Sequence, residues 1–565
     1  MSKETATRIL ARREIISGLA ASAAVPALAG TTDISTVPVA TNEATRSGIY
    51  NLRDFGAKGD GVTLDTRALQ AAIDTCFRNG GGTVLVPPGT FLIGTTELKS
   101  HTRLYIAAGA TLLGSTVPDH YHAAESVPLN GDVTLPDGHF GLLFGANAEN
   151  ITIEGSGIIS GQGEHFFDPT GGRTDRPCHV LLYRCRQVRV RDVVFRACAF
   201  HSLRMIQSRY IYIDGIRIDS LVNTNNDGFH FISCEHVAIS NCIVACGDDA
   251  CALFGSCQFV TVSNCTFSTR WSVFRFGGFP YGGGFVRNVT VSNCLIYDTY
   301  GCPIKIEGSG MRVENLHFSN IILENVTGPI GVNFGETPSG QTATHSSPFE
   351  SRPYVRNLTF QNIRATVAEA PDARYEKITT YMPVALPGEQ YSCIVFNGSG
   401  NHVIEDVTLD NVHVTFAGGG SAELAAKRKV GSTVGEYMAP WSDSPPGPPA
   451  YGVYARGVRG LTLNNVRLKV AKRDARPAMI LDTVQDVAIT GLSVEGDIAC
   501  EALRFCTVTD ALLSSTRILT PARSFIQLEG TGNQRIKVES GDWANAQYPL
   551  TVRDGAKDDV VQFRT

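Results

Sequence analysis

Short runs of alternating apolar and polar residues recur along most of this chain. The sequence reads VRVRDVVF from Val188, IYIDGIRI from Ile211, VAISNCIV from Val237, VTVSNCTF from Val260 and VTVSNCLI from Val289. LHFSNIIL follows from Leu316, LTFQNIRA from Leu358, VTLDNVHV from Val407, LTLNNVRL from Leu461 and VAITGLSV from Val487, with an earlier copy, ITIEGSGI, from Ile151. The alternation is a strand signature, and the Asn, Gly or Asp at the fifth position is a turn residue. The central copies start 23, 26, 23, 29 and 27 residues apart. A strand-rich period in the twenties, without helical stretches, predicts a solenoid. A leucine-rich repeat would need its Leu framework, which is absent. An all-β right-handed parallel β-helix fits, and stacked positions on successive coils then lie about 4.8 Å apart.

That stacking makes further predictions. Asn241, Asn264, Asn293, Asn320, Asn362, Asn411 and Asn465 should form an internal ladder at a bend. Cys242, Cys265 and Cys294 should stack beside them, close enough for a disulfide, though a buried thiol ladder is the simpler reading. Residues 65–79 place Asp65 at a helix N-cap and apolar residues at 69, 72, 73 and 76. This amphipathic helix should cap the N-terminal end of the solenoid, whose edge would otherwise invite pairing. Residues 417–450, ending WSDSPPGPPA, are rich in Gly, Pro and Ser and read as a long surface loop.

The first residues change the picture of where the protein works. TRILARREIISGLAASAAVPALAG carries paired Arg12 and Arg13, an apolar run and Ala27-Leu28-Ala29 as a cleavage triplet. Residues 1–29 read as a twin-arginine export signal, residues 30–48 as a flexible mature N-terminus and residues 49–565 as the β-helix. A periplasmic or secreted mature chain is expected, folded before export. The formal net charge of -5 gives no reason to expect nucleic acid or a membrane surface as partner. The fifteen cysteines are an odd number, so at least one thiol stays free. Solenoids of this kind are commonly monomers, and a monomer is expected.

The candidate chemistry lies in GDDACAL (247–253), where two aspartates stand side by side. Asp227, Asp248, Asp249, Lys305 and His201 lie 10 to 12 residues before the next repeat start. A shared phase predicts a shared face on neighbouring coils. Because adjacent residues of a strand point oppositely, Asp248 and Asp249 both reach that face only where the backbone bends. Clustered carboxylates in a groove suggest glycoside hydrolysis. One, kept protonated by its neighbours, donates to the leaving oxygen, and another activates water. The competing reading is turn aspartates or a Ca2+ site. The DHYH stretch (119–122) lacks a third metal ligand, and no metal or cofactor is expected.

NNDGFH (225–230), GDDACAL (247–253) and PIKIEGSG (303–310) resemble the three blocks, N-T-D, G/Q-D-D and R-I-K, of the glycoside hydrolase family 28 polygalacturonases. NLRDFGAKGDG and GGGTVLVPPGTF also resemble the opening of the wider pectin-active β-helix superfamily. The resemblance implies Asp248 as general acid, Asp227 and Asp249 as the pair holding the attacking water, and Asn225 and Lys305 as substrate-binding. The chain departs from the family where TRWSVFRFGG stands for the G-H-G block and Pro303 for the arginine of R-I-K. Arg275 or Arg270 could restore that cation, Trp271 could stack on a sugar, and His230 and His201 could assist substrate binding. The implied substrate is a pectin-like polysaccharide or oligosaccharide. A lyase or epimerase on the same scaffold, or a non-catalytic carbohydrate-binding β-helix, are the alternatives.

Overall fold

In the computed structural model, three short strands make up each of the central coils, and two of the three merge into one long strand from Phe285 onward. One coil has Leu203–Ile206, Arg209–Asp214 and Arg217–Ser220, and the next repeats them as Phe229–Ile232, Glu235–Ser240 and Ile243–Cys246. Each strand pairs in parallel with its counterpart one coil on: Leu203 with Phe229, Ile211 with Val237, Ile218 with Val244. The fold is the expected right-handed parallel β-helix. The structure describes residues 48–122, 140–168, 175–277, 284–335, 352–376, 378, 385–431 and 437–564. The export-signal reading, at residues 1–29, lies outside them.

Alternation decides which side chains fill the solenoid. In the strand Arg209–Asp214, Ile211 and Ile213 are buried inward while Tyr212 is exposed. Repeated along the axis, the inward positions build one continuous apolar core. The cysteines join it. All fifteen are free, and all but Cys506 are buried. Burial raises the Cys294 thiol to about 12.

Two expectations are corrected here. The asparagine ladder exists, but it is exposed on the outside of a bend rather than internal. Asn241, Asn264, Asn293 and Asn320 hold φ of 55–56°, a left-handed conformation that Asn tolerates better than most residues. Each amide donates to the one before it: Asn320 to Asn293 at 3.1 Å, Asn362 to Asn320 at 3.0 Å, Asn411 to Asn362 at 2.8 Å. The long insertion is also not a surface loop. After the strand Ile404–Gly418 it forms a short helix, Ala422–Ala426, and Leu424, Tyr437 and Trp441 are all buried.

The N-terminal helix spans Thr66–Arg78 and buries Leu69, Ala72, Ile73 and Cys76. Asp65 occupies the N-cap position, but its carboxylate accepts from the amides of Lys58 (2.8 Å) and Gly59 (2.9 Å) instead of from the helix. The residue thus ties the preceding loop to the helix start.

Candidate active site

One sheet of the solenoid carries the site on its outer face. Pairing aligns Leu203, Phe229, Cys251, Phe274 and Ile304 on successive coils, all pointing into the core. The next residue of each strand therefore points out. That outward column runs Arg204, His230, Ala252, Arg275, Lys305.

The acids come from the turns just before these strands. Ser202 N donates to the Asp227 carbonyl (2.9 Å) and Gly228 N to the Asp249 carbonyl (3.0 Å), so His201, Asp227 and Asp249 stack on three neighbouring coils. Asp248 and Asp249 lie between the strands Ile243–Cys246 and Cys251–Phe254, in turn backbone, so strand alternation does not separate them. The shared phase read for Lys305 is corrected. It aligns with His230 and Arg275, three residues further along the coil than Asp227. Corners between this sheet and the next repeat differ in length, so counting back from the repeat start slips.

Asp227 is buried. Burial first, then the charges of Asp248 and Asp249, push its carboxyl well above the usual range. Its Oδ2 lies 2.6 Å from His230 Nδ1 and 3.7 Å from His201 Nε2. The Asp248 carboxylate accepts from the Asp249 amide (2.9 Å) and from Asn225 Nδ2 (3.4 Å), and Thr269 Oγ1 donates to its carbonyl. Asn225 itself sits at φ 50° and accepts from Arg176 Nη2 at 3.2 Å. It therefore braces Asp248. Asp249 Oδ2 meets Arg275 Nη1 at 3.2 Å, while its buried Oδ1 has no hydrogen-bond partner among the described residues. Glu307 bridges two neighbouring cations of the column, 3.3 Å from Arg275 Nη2 and 3.3 Å from Lys305 Nζ.

The remaining candidates fall elsewhere. Arg270 is fully buried, 3.6 Å from Glu389, and donates to the Tyr300 carbonyl at 2.9 Å. Trp271 packs under the Arg270 guanidinium, 4.4 Å from ring centre to charge. Arg270 thereby braces the segment around Glu389, and both side chains stand outside the outward column. Residues the sequence pattern alone did not single out are Arg204, Glu307 and Arg176. The pattern LRMI against FHFI places Arg204 beside His230, and Glu307 follows Lys305 by two, as the same face requires. Arg176 lies outside the repeat and gives no such signal.

His201, Asp227 and His230 offer ligand atoms within 4.8 Å of one another. Arg204 already donates to His201 Nδ1 at 2.9 Å, and the Arg204 and Arg275 charges act on His230. Guanidinium groups around this donor set fit a hydrogen-bond network better than a cation cage.

The groove is short along the axis. Beyond Lys305 the column continues as Gly331, Val395 and Tyr454. The Tyr437 ring lies so close over Gly331 that a Cβ there would sit 2.7 Å from it. Tyr437 Oη donates to the Cys393 carbonyl at 2.6 Å, and Trp441 meets Tyr454 edge-on at 4.9 Å. On the other side Phe200 stacks on His201 at 3.7 Å, with Arg176 over its ring. Four coils, from His230 to Lys305, are left between these walls, about 14 Å.

Residues 76–385 match the family model of glycosyl hydrolases family 28. The chain is 30% identical over 213 residues to a probable polygalacturonase of Vitis vinifera, covering 36% of this chain and 43% of that one. It is 24% identical over 442 residues to an exo-poly-alpha-D-galacturonosidase of Dickeya chrysanthemi, covering 70% and 68%. A probable polygalacturonase of Arabidopsis thaliana is matched over 61% of its length, so the chain spans only part of these plant relatives. The crystal structure of a hyperthermoactive exopolygalacturonase from Thermotoga maritima superposes with a TM-score of 0.54 at 20% identity, covering 74% of this chain and 91% of that one. The family model takes in more than half of the residues, and the chain belongs to the glycosyl hydrolases of family 28.

Proposed function

We propose that the protein hydrolyses glycosidic bonds of a galacturonan-type pectic polysaccharide, with inversion, outside the cytoplasm. One observation carries this reading: three carboxylates from two adjacent turns meet beside Arg275 and Lys305. Asp248, more open than its neighbours, gives its proton to the leaving glycosidic oxygen. Asp227 and Asp249 hold water between them. Its oxygen bonds to the anomeric carbon as the carbon–oxygen bond to the leaving sugar breaks, and its proton passes to the carboxylate pair. Lys305 and Arg275 hold a uronate carboxylate, with Glu307 setting their positions. Arg270 and Trp271 are left out of the binding set because both are buried outside the outward column.

A screen of the purified protein against pectic fractions, with products read by mass and by ultraviolet absorbance, tests this. Saturated products are expected. Unsaturated, absorbing products would mean a lyase, and binding without turnover a carbohydrate-binding protein. Asp248→Asn should lower sugar release about a hundredfold or more. The Tyr437 wall across the column supports action at chain ends. Mono- or disaccharides should then accumulate from the first minutes while solution viscosity falls slowly. A rapid fall in viscosity would overturn the chain-end reading.

A further inference from the structure

The site contains a buried chain of groups that the proposed reaction does not use: Arg204, His201 and His230 around one oxygen of Asp227. Arg204 is fully buried, and its Nη1 lies 2.9 Å from His201 Nδ1. A guanidinium only donates. His201 Nδ1 must therefore accept, and a neutral His201 carries its proton on Nε2. That nitrogen faces Asp227 Oδ2 at 3.7 Å. His230 Nδ1 faces the same oxygen at 2.6 Å. The two imidazoles stack at 4.0 Å, with Phe200 beyond His201 and Phe254 beside His230. Neither ring can turn away without breaking this stack.

We propose that Arg204, His201 and His230 are positioning residues: His230 donates its Nδ1 proton to Asp227 Oδ2, His201 turns its Nε2 proton toward the same oxygen from 3.7 Å and backs the His230 ring in the stack, and together they hold the carboxylate charged and oriented toward the attacking water. The inference rests on the function proposed above. A base must be ionised to take a proton, yet burial and the charges of Asp248 and Asp249 oppose ionisation of Asp227. Donors to the charged form favour it, as do the neighbouring cations Arg204 and Arg275. The imidazoles stay neutral because burial disfavours the imidazolium. His201 also feels His230, Arg204 and Arg176, and His230 feels Arg204 and Arg275. A second proton on either ring is not needed, and the chain stays charge-balanced against the acids.

Two measurements test the clamp. Imidazole nitrogen-15 spectra of the full-length protein should show two neutral rings, His201 protonated on Nε2 and His230 on Nδ1. Finding His230 protonated on Nε2 would place the shared proton on Asp227 and overturn the proposal, whatever the activity. In kinetics, His230→Phe keeps the stack and removes the donor, whereas His230→Asn keeps a donor near the Nδ1 position. His230→Phe should lower kcat about tenfold with KM little changed, and move the acid limb of the kcat profile up by about one pH unit. His230→Asn should return the limb toward its original position. Equal losses in both variants with an unmoved limb would assign the histidines a packing role only. A wild-type protein that releases no sugar would instead sink the function reading, leaving the tautomer result to stand alone.

Discussion

Ala252 has the smallest side chain of the outward column between Arg204 and Lys305, and Arg275 depends on it. With only a methyl group at that position, the guanidinium folds back over Phe254, 5.6 Å from its ring centre, and reaches Asp249 one coil away. Ala252→Leu should push Arg275 off Asp249 and lower kcat/KM on polygalacturonate about tenfold, with thermal unfolding little changed. Arg275→Lys should cost a similar factor, since a single ammonium cannot serve Asp249 and Glu307 together. Steady-state kinetics on one acidic substrate checks both. At this scale the sequence was legible where a motif marked the candidate site, as with Asp227, Asp248 and Asp249, which neighbouring turns bring together. It was illegible where a side chain acts through reach. Arg275 and Arg270 looked alike in TRWSVFRFGG, but one lies on a strand pointing out and the other in the turn before it, buried against Glu389.

The elements follow from alternation plus corners. Strand after strand could be read from the apolar-x-apolar pattern, because a period of two fixes which side chains enter the core. Corner geometry was harder. The asparagines that recur at one bend were read as internal, whereas their left-handed backbone turns them outward, where each amide satisfies the next. Asn320→Gly keeps that backbone and loses the ladder bonds, so it should destabilise by about 1 kcal/mol. Asn320→Ala must also enter a conformation its Cβ resists, and about 2 kcal/mol is expected. Denaturant unfolding of the two variants separates the terms. Lys305 shows the same limit: corners of unequal length move a residue out of the phase that counting assigns to it.

For the whole molecule, buried histidines set the response to acid. Burial pushes His179 down to about 4, while its ring nitrogen donates to the Arg196 carbonyl at 2.9 Å. His201 and His230 are depressed in the same direction. Unfolded, each would take a proton near its ordinary value of about 6.5. Stability from these groups is complete above that pH and is lost as pH falls toward the folded values. His413 is depressed as well, whereas Asp227 and Asp482, raised by burial, act in the opposite sense, two groups against four. The unfolding midpoint should therefore drop between about pH 6.5 and 4, and His179→Leu should flatten that drop.

The thiol-lined core also governs whether the molecule recovers from heat. Fourteen buried cysteines, shielded from oxidant in the folded chain, would all meet it at once on heating in air. Random cross-links between coils would then act as a ratchet, and cooling would not return the native chain. With a reductant present, a second heating scan should reproduce much of the first; without it, the second scan should be flat.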